Sequence, residues 1–194
     1  MAKAKNRRNG KIFYIDTNIV LDYITKRNSG TVLLLDKIKE KRWTCISSSF
    51  LVMELADYKK DYLFLENKLQ EKWEIRKITR QTYQKDLSKK HFEVVKEWFA
   101  DFWGKYENFE LYDFLINTDN WLLAQRIVLY SNLYATDAIH LASAIIGAVN
   151  NQCQTFITND KFFTREATKF LQANKLMKKL HILTVAEVSH KYFS

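Results

Sequence analysis

Short apolar runs alternate with segments of helical periodicity along much of the chain. An apolar run with β-branched and aromatic residues is typical of a buried strand, and apolar residues three and four apart are typical of a helix. These patterns predict strands at residues 11–16, 43–47, 155–158 and 181–185. They predict helices at 18–26, 31–41, 137–149, 160–170 and from 187 onward, and a helix after Ser49 that carries Phe50, Leu51, Glu54 and Leu55.

The middle of the chain, about residues 60–118, has a less regular pattern and is rich in helix formers, aromatic residues and charge. Residues 81–103 and 119–131 each predict a helix, and residues 73–78 fit either a short strand or a helix end. No internal repeat and no linker rich in Pro, Gly or Ser divides the sequence. We therefore predict a single domain over the whole chain, with a helical insertion in the middle.

Strands that alternate with helices indicate an α/β fold, in which helices cover both faces of a mainly parallel sheet. We expect a three-layer α/β/α sandwich with about four or five strands. Thr17 and Thr136 each stand at the start of a predicted helix, where a hydroxyl can cap the first turn.

The charge balance favours a polyanionic partner. Lys and Arg total 31 against 22 Asp and Glu, so the net charge is +9, and such an excess attracts nucleic acid. Residues 1–10 form a basic tail, which is either a disordered end or an arm that contacts RNA. No apolar run approaches the roughly 18–20 residues of a membrane span, and no signal-peptide core follows the tail. We expect a cytoplasmic protein with no membrane contact.

Cysteine and glycine usage exclude several kinds of site. Cys45 and Cys153 each lie in an apolar, strand-like run without the spacing of a zinc site or a CxxC motif, so we predict two reduced, buried thiols. Only four glycines are present, which argues against a Gly-rich phosphate loop.

Four carboxylates occupy positions where an α/β fold binds ligands. Asp16 ends the first strand, Glu54 lies in the helix after the second strand, Asp137 is in the first turn of an apolar helix, and Asp160 follows the strand that ends FIT. In an open parallel sheet, ligands bind beyond the carboxyl ends of the strands. We therefore expect these acids to converge on one edge of the sheet.

Clustered carboxylates repel one another unless a cation lies between them. Oxygen ligands suit Mg²⁺ or Mn²⁺, which can activate water and clamp a phosphodiester. We predict that the four acids bind such a metal and catalyse hydrolysis. Four polar neighbours could orient them by hydrogen bonds: Thr17, Asn18, Thr158 and Asn159. The alternative is that Asp137 and Asp160 serve only as helix-start acids and that Glu54 is a solvated helix residue.

The segments FYIDTNIVLDYI, SSFLVMELADY, TDAIHLASAI and FITND resemble, in this order, the successive motifs of the PIN domain family, and most of all VapC-type toxin ribonucleases. The resemblance covers about residues 11–60 and 120–190. It implies a PIN-like fold in which Asp16, Glu54, Asp137 and Asp160 coordinate Mg²⁺ or Mn²⁺ and the enzyme cuts RNA, leaving a 3′-hydroxyl and a 5′-phosphate. It also implies an antitoxin protein as partner and a homodimer.

The leading hypothesis is thus a metal-dependent endoribonuclease, the toxin of a type II toxin–antitoxin system. The alternative is a non-catalytic module of the same fold that binds RNA or protein. A haloacid-dehalogenase-like phosphatase would need a second Asp at position 18, which is Asn. A dinucleotide-dependent enzyme would need a Gly-rich turn after the first strand, and DTNIV has none.

Other features have plainer interpretations. We take Asp22 and Asp57 as solvated residues first and auxiliary ligands second. His140, one turn after Asp137, is interpreted as a buried, hydrogen-bonded residue rather than a phosphate contact. We interpret an aromatic cluster as packing of the inserted helices, with a groove for a partner helix and a stacking surface for RNA bases as alternatives. Its members are Trp98, Phe99, Phe102, Trp103, Tyr106 and Phe109.

Overall fold

A computed structural model describes residues 10–80, 89–105, 109–112 and 118–194. The chain divides into two compact units. One, called here the sheet unit, comprises Met1–Phe50 and Asn108–Ser194. The other, called the helical unit, comprises Leu51–Glu107. The prediction of one domain with an insertion stays a prediction.

Within the described residues, five parallel strands form one sheet in the order β3-β2-β1-β4-β5. The strands are β1 (Ile12–Ile15), β2 (Thr44–Ser48), β3 (Phe109–Tyr112), β4 (Thr155–Ile157) and β5 (His181–Leu183). The helices of the sheet unit are α1 (Thr17–Thr25), α2 (Ser29–Glu40), α6 (Thr118–Tyr130), α7 (Ala135–Val149), α8 (Lys161–Ala173) and α9 (Val185–Phe193). Those of the helical unit are α3 (Phe50–Gln70), α4 (Ile75–Arg80) and α5 (Lys89–Lys105).

The alternation of side chains along β1 explains the layers. Tyr14 belongs to a buried cluster with residues of α6, α7 and α8, and it stacks on Phe156 of β4 at 4.9 Å. Phe13 points to the opposite face, because successive side chains of a strand alternate, and its ring lies 5.5 Å from that of Tyr192 in α9. Helix α2 packs on α1 and α9. The predicted α/β class and parallel sheet are confirmed.

The order of the strands reverses beside β1. The chain moves from β1 to β2 and β3 on one side, and β4 and β5 lie on the other. Right-handed crossovers in opposite directions place their helices on opposite faces of the sheet. α/β proteins bind ligands at such a reversal, beyond the carboxyl ends of the two strands, which here are β1 and β4.

Strand β3 was not predicted. Its residues FELY are half-exposed or exposed, because β3 is at the edge of the sheet and pairs only with β2 among the described strands. An edge strand of this kind lacks the apolar run that identifies a buried strand. Phe109 is therefore a strand residue, and its membership of the aromatic cluster stays a prediction.

Two predicted helix caps were also wrong. Asp16, not Thr17, caps α1, and its side chain accepts from the Thr17 backbone N–H. Thr136 lies inside α7, whose N-cap residue is Tyr134 and makes no side-chain cap. Helix α9 begins two residues before the predicted start, because Thr184 and Glu187 form a reciprocal capping box.

In the helical unit, residues 75–80 are helical, which decides between the two predictions for residues 73–78. Residues 81–88 of the predicted long helix and Tyr106 lie outside the described residues. The rings of Trp98 and Phe99 are 5.6 Å apart and those of Phe102 and Trp103 are 4.7 Å apart. Both contacts join consecutive residues of α5, and the interpretation of the cluster as packing between helices stays a prediction. No helix in the described parts of the chain has the length and apolarity that crossing a membrane requires.

Neither cysteine forms a disulfide, and both are buried, as predicted. Cys153 donates a weak hydrogen bond to the carbonyl oxygen of Ala144. Burial raises the pKa of the Cys153 thiol to about 12, because a thiolate would lose its hydration.

A buried carboxylate ties α8 to the loop before α7. Glu166 accepts hydrogen bonds from Arg165, Lys169 and Asn132 at 2.7, 3.0 and 2.9 Å. The hydrogen bond from Arg165, followed by those from Lys169 and Asn132, lowers the pKa of Glu166 from 4.5 to about 2. The cluster is therefore built for an ionised glutamate.

We predict that the native protein does not react with a thiol-specific reagent at pH 7.5, because the nucleophile is the thiolate. Denaturation in urea should expose two reactive thiols per chain. The measurement is the time course of Ellman's reaction with and without urea. Rapid labelling of one thiol in the native protein would contradict the buried position of that cysteine.

We predict that Glu166 makes stability fall in acid. Its folded pKa of about 2 lies below the ordinary value of 4.5, so its contribution is present above about pH 4.5 and is lost as the pH falls towards 2. Glu166→Gln should unfold more easily in urea at pH 7 and should lose less further stability between pH 5 and pH 3 than the parent. Parallel pH profiles for the two proteins would contradict the prediction.

Candidate functional site

Asp16 stands at the carboxyl end of β1, and its backbone N–H donates to the carbonyl oxygen of Ile157 in β4. Its half-buried carboxylate accepts from the Thr17 backbone N–H at 2.8 Å, from Asn18 Nδ2 and from Thr158 Oγ1 at 2.7 Å. Three donors therefore fix the orientation of this carboxylate at the point where the strand order reverses.

Thr158 is the centre of this arrangement and is fully buried. Its hydroxyl donates to Asp16 and accepts from Asn18 Nδ2 and from the Asp160 backbone N–H, both at 3.0 Å. The same hydroxyl thus holds the carboxylate that follows β1 and the backbone that follows β4. Asp16 and Asp160 are brought to the same part of the sheet edge.

Asp160 is exposed and caps α8, with Oδ1 accepting from the Phe163 N–H at 2.9 Å. Within the described residues, no donor contacts its second oxygen, Oδ2. The expectation that Asp160 acts as a helix cap is confirmed, and Oδ1 is the capping oxygen. The other oxygen leaves Asp160 able to take a ligand.

Asp137 is half-buried in the first turn of α7. Helix α7 directly precedes β4, which is parallel to β1 and so begins at the amino edge of the sheet. Since α7 ends near that amino edge, its first turn lies at the carboxyl edge. His140, one turn later, has its Nε2 3.4 Å from Thr17 Oγ1. Asp137 is therefore at the same edge as Asp16. Glu54 lies on α3 in the helical unit, and its part in the site stays a prediction.

The acids are not assembled into a metal cluster. Among the described residues, no three or more His, Cys, Asp or Glu side chains come together in a group that could hold an ion. Mg²⁺, however, is often held by one or two carboxylates together with water and substrate phosphate. The metal site predicted at Asp16, Glu54, Asp137 and Asp160 stays a prediction.

A series of buried hydrogen bonds links the core to Thr17, which is next to Asp16. The Tyr14 hydroxyl accepts from the Ser48 backbone N–H at 3.1 Å and lies 2.9 Å from His140 Nδ1. On the other side of the ring, His140 Nε2 lies 3.4 Å from Thr17 Oγ1, so both ring nitrogens have a hydrogen-bonding partner. His140 is thus a buried, hydrogen-bonded residue, as interpreted from the sequence.

The four predicted supporting residues have different roles. Asn18 and Thr158 contact Asp16 with their side chains, whereas Thr17 does so with its backbone N–H. Asn159 does not donate to Asp16 in any described contact. Its backbone N–H donates to Asn18 Oδ1 at 3.3 Å, and its side chain turns towards a second buried acid.

That acid is Asp22, whose interpretation as a solvated residue was wrong, since it is only 6% exposed. Its Oδ2 accepts from Asn159 Nδ2 at 3.2 Å and from Thr31 Oγ1 at 3.4 Å, and its Oδ1 pairs with Arg27. The signal was present in the sequence, because Asp22 is three residues after Ile19 and so shares the apolar face of α1. Asp57, on α3, is exposed as expected.

No protein-family model and no curated protein matches the sequence. Among solved structures, the chain is similar to one in the crystal structure of VapBC2 from Rickettsia felis bound to a DNA fragment from their promoter. The match has 18% identity and a TM-score of 0.49, and it covers 89% of this chain and 98% of the other. Values of this size do not assign the chain to a family.

We predict that Thr158→Val destabilises the protein by about 1–3 kcal/mol, because the Asn18 amide and the Asp160 N–H lose a buried acceptor while the shape of the side chain is kept. Thr158→Ser keeps the hydroxyl and is the matched control, with a smaller loss. Urea denaturation monitored by tryptophan fluorescence measures both. Equal stability of the Val and Ser variants would contradict the central role of the hydroxyl.

Proposed function

We propose that this protein is a metal-dependent endoribonuclease that hydrolyses phosphodiester bonds of RNA. The observation that carries the proposal is the Asp16 carboxylate, held by three donors at the strand-order reversal and joined through the Thr158 hydroxyl to Asp160. Fixing a carboxylate in this way serves a ligand that approaches from outside the sheet. The order of the PIN-like motifs along the sequence and the net charge of +9 support RNA as that ligand.

In this proposal, Asp16 and Asp160 bind Mg²⁺ or Mn²⁺, and Asp137 and Glu54 complete the set. When bound, such an ion lowers the pKa of a water molecule and neutralises charge on the phosphodiester. Asn18 and Thr158 keep the Asp16 oxygens in one orientation, so little reorganisation is needed when the substrate arrives. Asp160 Oδ1 caps α8 by accepting from the Phe163 N–H, which fixes the carboxylate and leaves Oδ2 for the metal ion.

The biological setting proposed from the motif resemblance is a type II toxin–antitoxin system. The chain would be the toxin, an antitoxin protein would be its partner, and two copies would form a homodimer. Since these properties follow from the resemblance alone, they are tested separately from the chemistry of the site, by co-expression with the product of a neighbouring gene and by the solution mass of the protein.

The alternative function is a non-catalytic module of the same fold that binds RNA or protein. Such a module would bind RNA equally well with and without divalent metal and would leave it uncut.

We predict that the purified protein cuts single-stranded RNA with Mg²⁺ or Mn²⁺ and not in EDTA. Asp16→Asn should lower the rate at least about a hundredfold, because it removes a charged oxygen that the ion requires. The measurement is the rate of cleavage of an end-labelled RNA at saturating metal. Cleavage by Asp16→Asn at the parental rate would overturn the proposed function.

The matched control is Glu40→Gln. Glu40 is exposed at the last position of α2, which leads into β2 and so ends at the amino edge of the sheet, opposite the site. This variant removes the same charge and should cut RNA at the parental rate. Melting temperatures of both variants establish that each is folded.

A further inference from the structure

Arg27 and Asp22 form a pair that the proposed chemistry does not use. Asp22 is buried, whereas the side chain of Arg27 is 47% exposed. Burying a carboxylate is costly unless it is fully hydrogen-bonded, and Asp22 meets this demand with Arg27, Asn159 and Thr31. The pair is therefore a fixed feature of the sheet unit.

The contact leaves one end of the guanidinium open. Arg27 pairs with Asp22 through Nε, and its two terminal amino groups contact no other acceptor among the described residues. A guanidinium held in this way presents two parallel N–H donors, which match two oxygens of a phosphate.

The pair is joined to the candidate site by three hydrogen bonds in series. Asp22 accepts from the Asn159 side chain, the Asn159 backbone N–H donates to Asn18, and Asn18 donates to Asp16. Asn159 also precedes Asp160 and accepts from the Val185 N–H at the start of α9. The exposed guanidinium thus lies at the same carboxyl edge of the sheet as the two acids.

We propose that Arg27 is a substrate-binding residue that holds an RNA phosphate beside the one that is cut, and that Asp22 is its positioning residue. This inference rests on the proposed function for the identity of the substrate. A cation at the same sheet edge as Asp16 and Asp160 gives the backbone of the RNA a fixed point of attachment. Because a phosphate is present at every nucleotide, Arg27 contributes affinity and register, and not a preference for a base.

The test is the affinity of the full chain for a fluorescent single-stranded RNA, measured by anisotropy in EDTA, where no metal-dependent cutting takes place. Arg27→Gln should weaken binding about tenfold and lower the slope of log K against log salt by about 0.7, the value for one lost phosphate contact on a single strand. Arg27→Lys keeps the charge but not the fork, and we expect an intermediate affinity.

The matched control is Lys179→Gln. Lys179 is exposed two residues before β5, at the amino edge of the sheet, and its loss should change the affinity by less than twofold. Because Arg27→Gln leaves a buried charge unpaired, the double variant Asp22→Asn/Arg27→Gln is measured as well. It removes both charges and should show the same loss of affinity with a melting temperature nearer that of the parent.

The outcomes separate this inference from the proposed function. If Arg27→Gln and the double variant bind RNA as the parent does, the inference is overturned, whether or not the protein cuts RNA. The same holds if these variants weaken binding of a polyglutamate peptide and leave RNA affinity unchanged. If the parent never cuts RNA but Arg27→Gln weakens RNA binding, the nuclease proposal fails and the phosphate contact stands.

Discussion

The hydrogen bond from the Thr158 hydroxyl to Asp16 is the interaction on which the edge of the sheet depends. A fully buried hydroxyl must find partners, and a carboxylate at the end of an apolar strand must find donors. Thr158 and Asp16 satisfy each other at 2.7 Å, and the same hydroxyl accepts the Asp160 N–H. Two strands that are distant in sequence are thereby joined at their carboxyl ends, and the acids that follow them are held in place.

The order of the strands explains why this edge, and not another, holds the polar network. Neighbouring parallel strands whose crossovers leave in opposite directions leave an open crevice between their carboxyl ends. β1 and β4 are such a pair. Thr158 is fully buried at this place, so the hydrogen bonds of its hydroxyl meet little competition from water. A series of hydrogen bonds from Ser48 through Tyr14 and His140 to Thr17 continues the polar network into the core.

Two other carboxylates of the sheet unit are buried and satisfied by hydrogen bonds and ion pairs. Glu166 and Asp22 are both buried acids, and each is met by a partly exposed arginine together with neutral donors from a different element. Glu166 binds Asn132 in the loop that precedes α7, and Asp137 lies in the first turn of α7. Asp22 fastens the loop that carries Asn159 and Asp160. Both clusters therefore hold segments close to the acids, at Asn132, five residues before Asp137, and at Asn159, directly before Asp160.

The sequence by itself determined the local elements of the sheet unit, because apolar periodicity and strand composition are properties of neighbouring residues. It located β1, β2, β4, β5 and Asp16, and it identified the buried cysteines. Only the tertiary structure decided that β3 joins the sheet as an edge strand and that the buried Asp22 accepts a hydrogen bond from Asn159. Those features depend on contacts between residues far apart in the chain, such as Asp22 with Asn159, and no local pattern specifies such contacts.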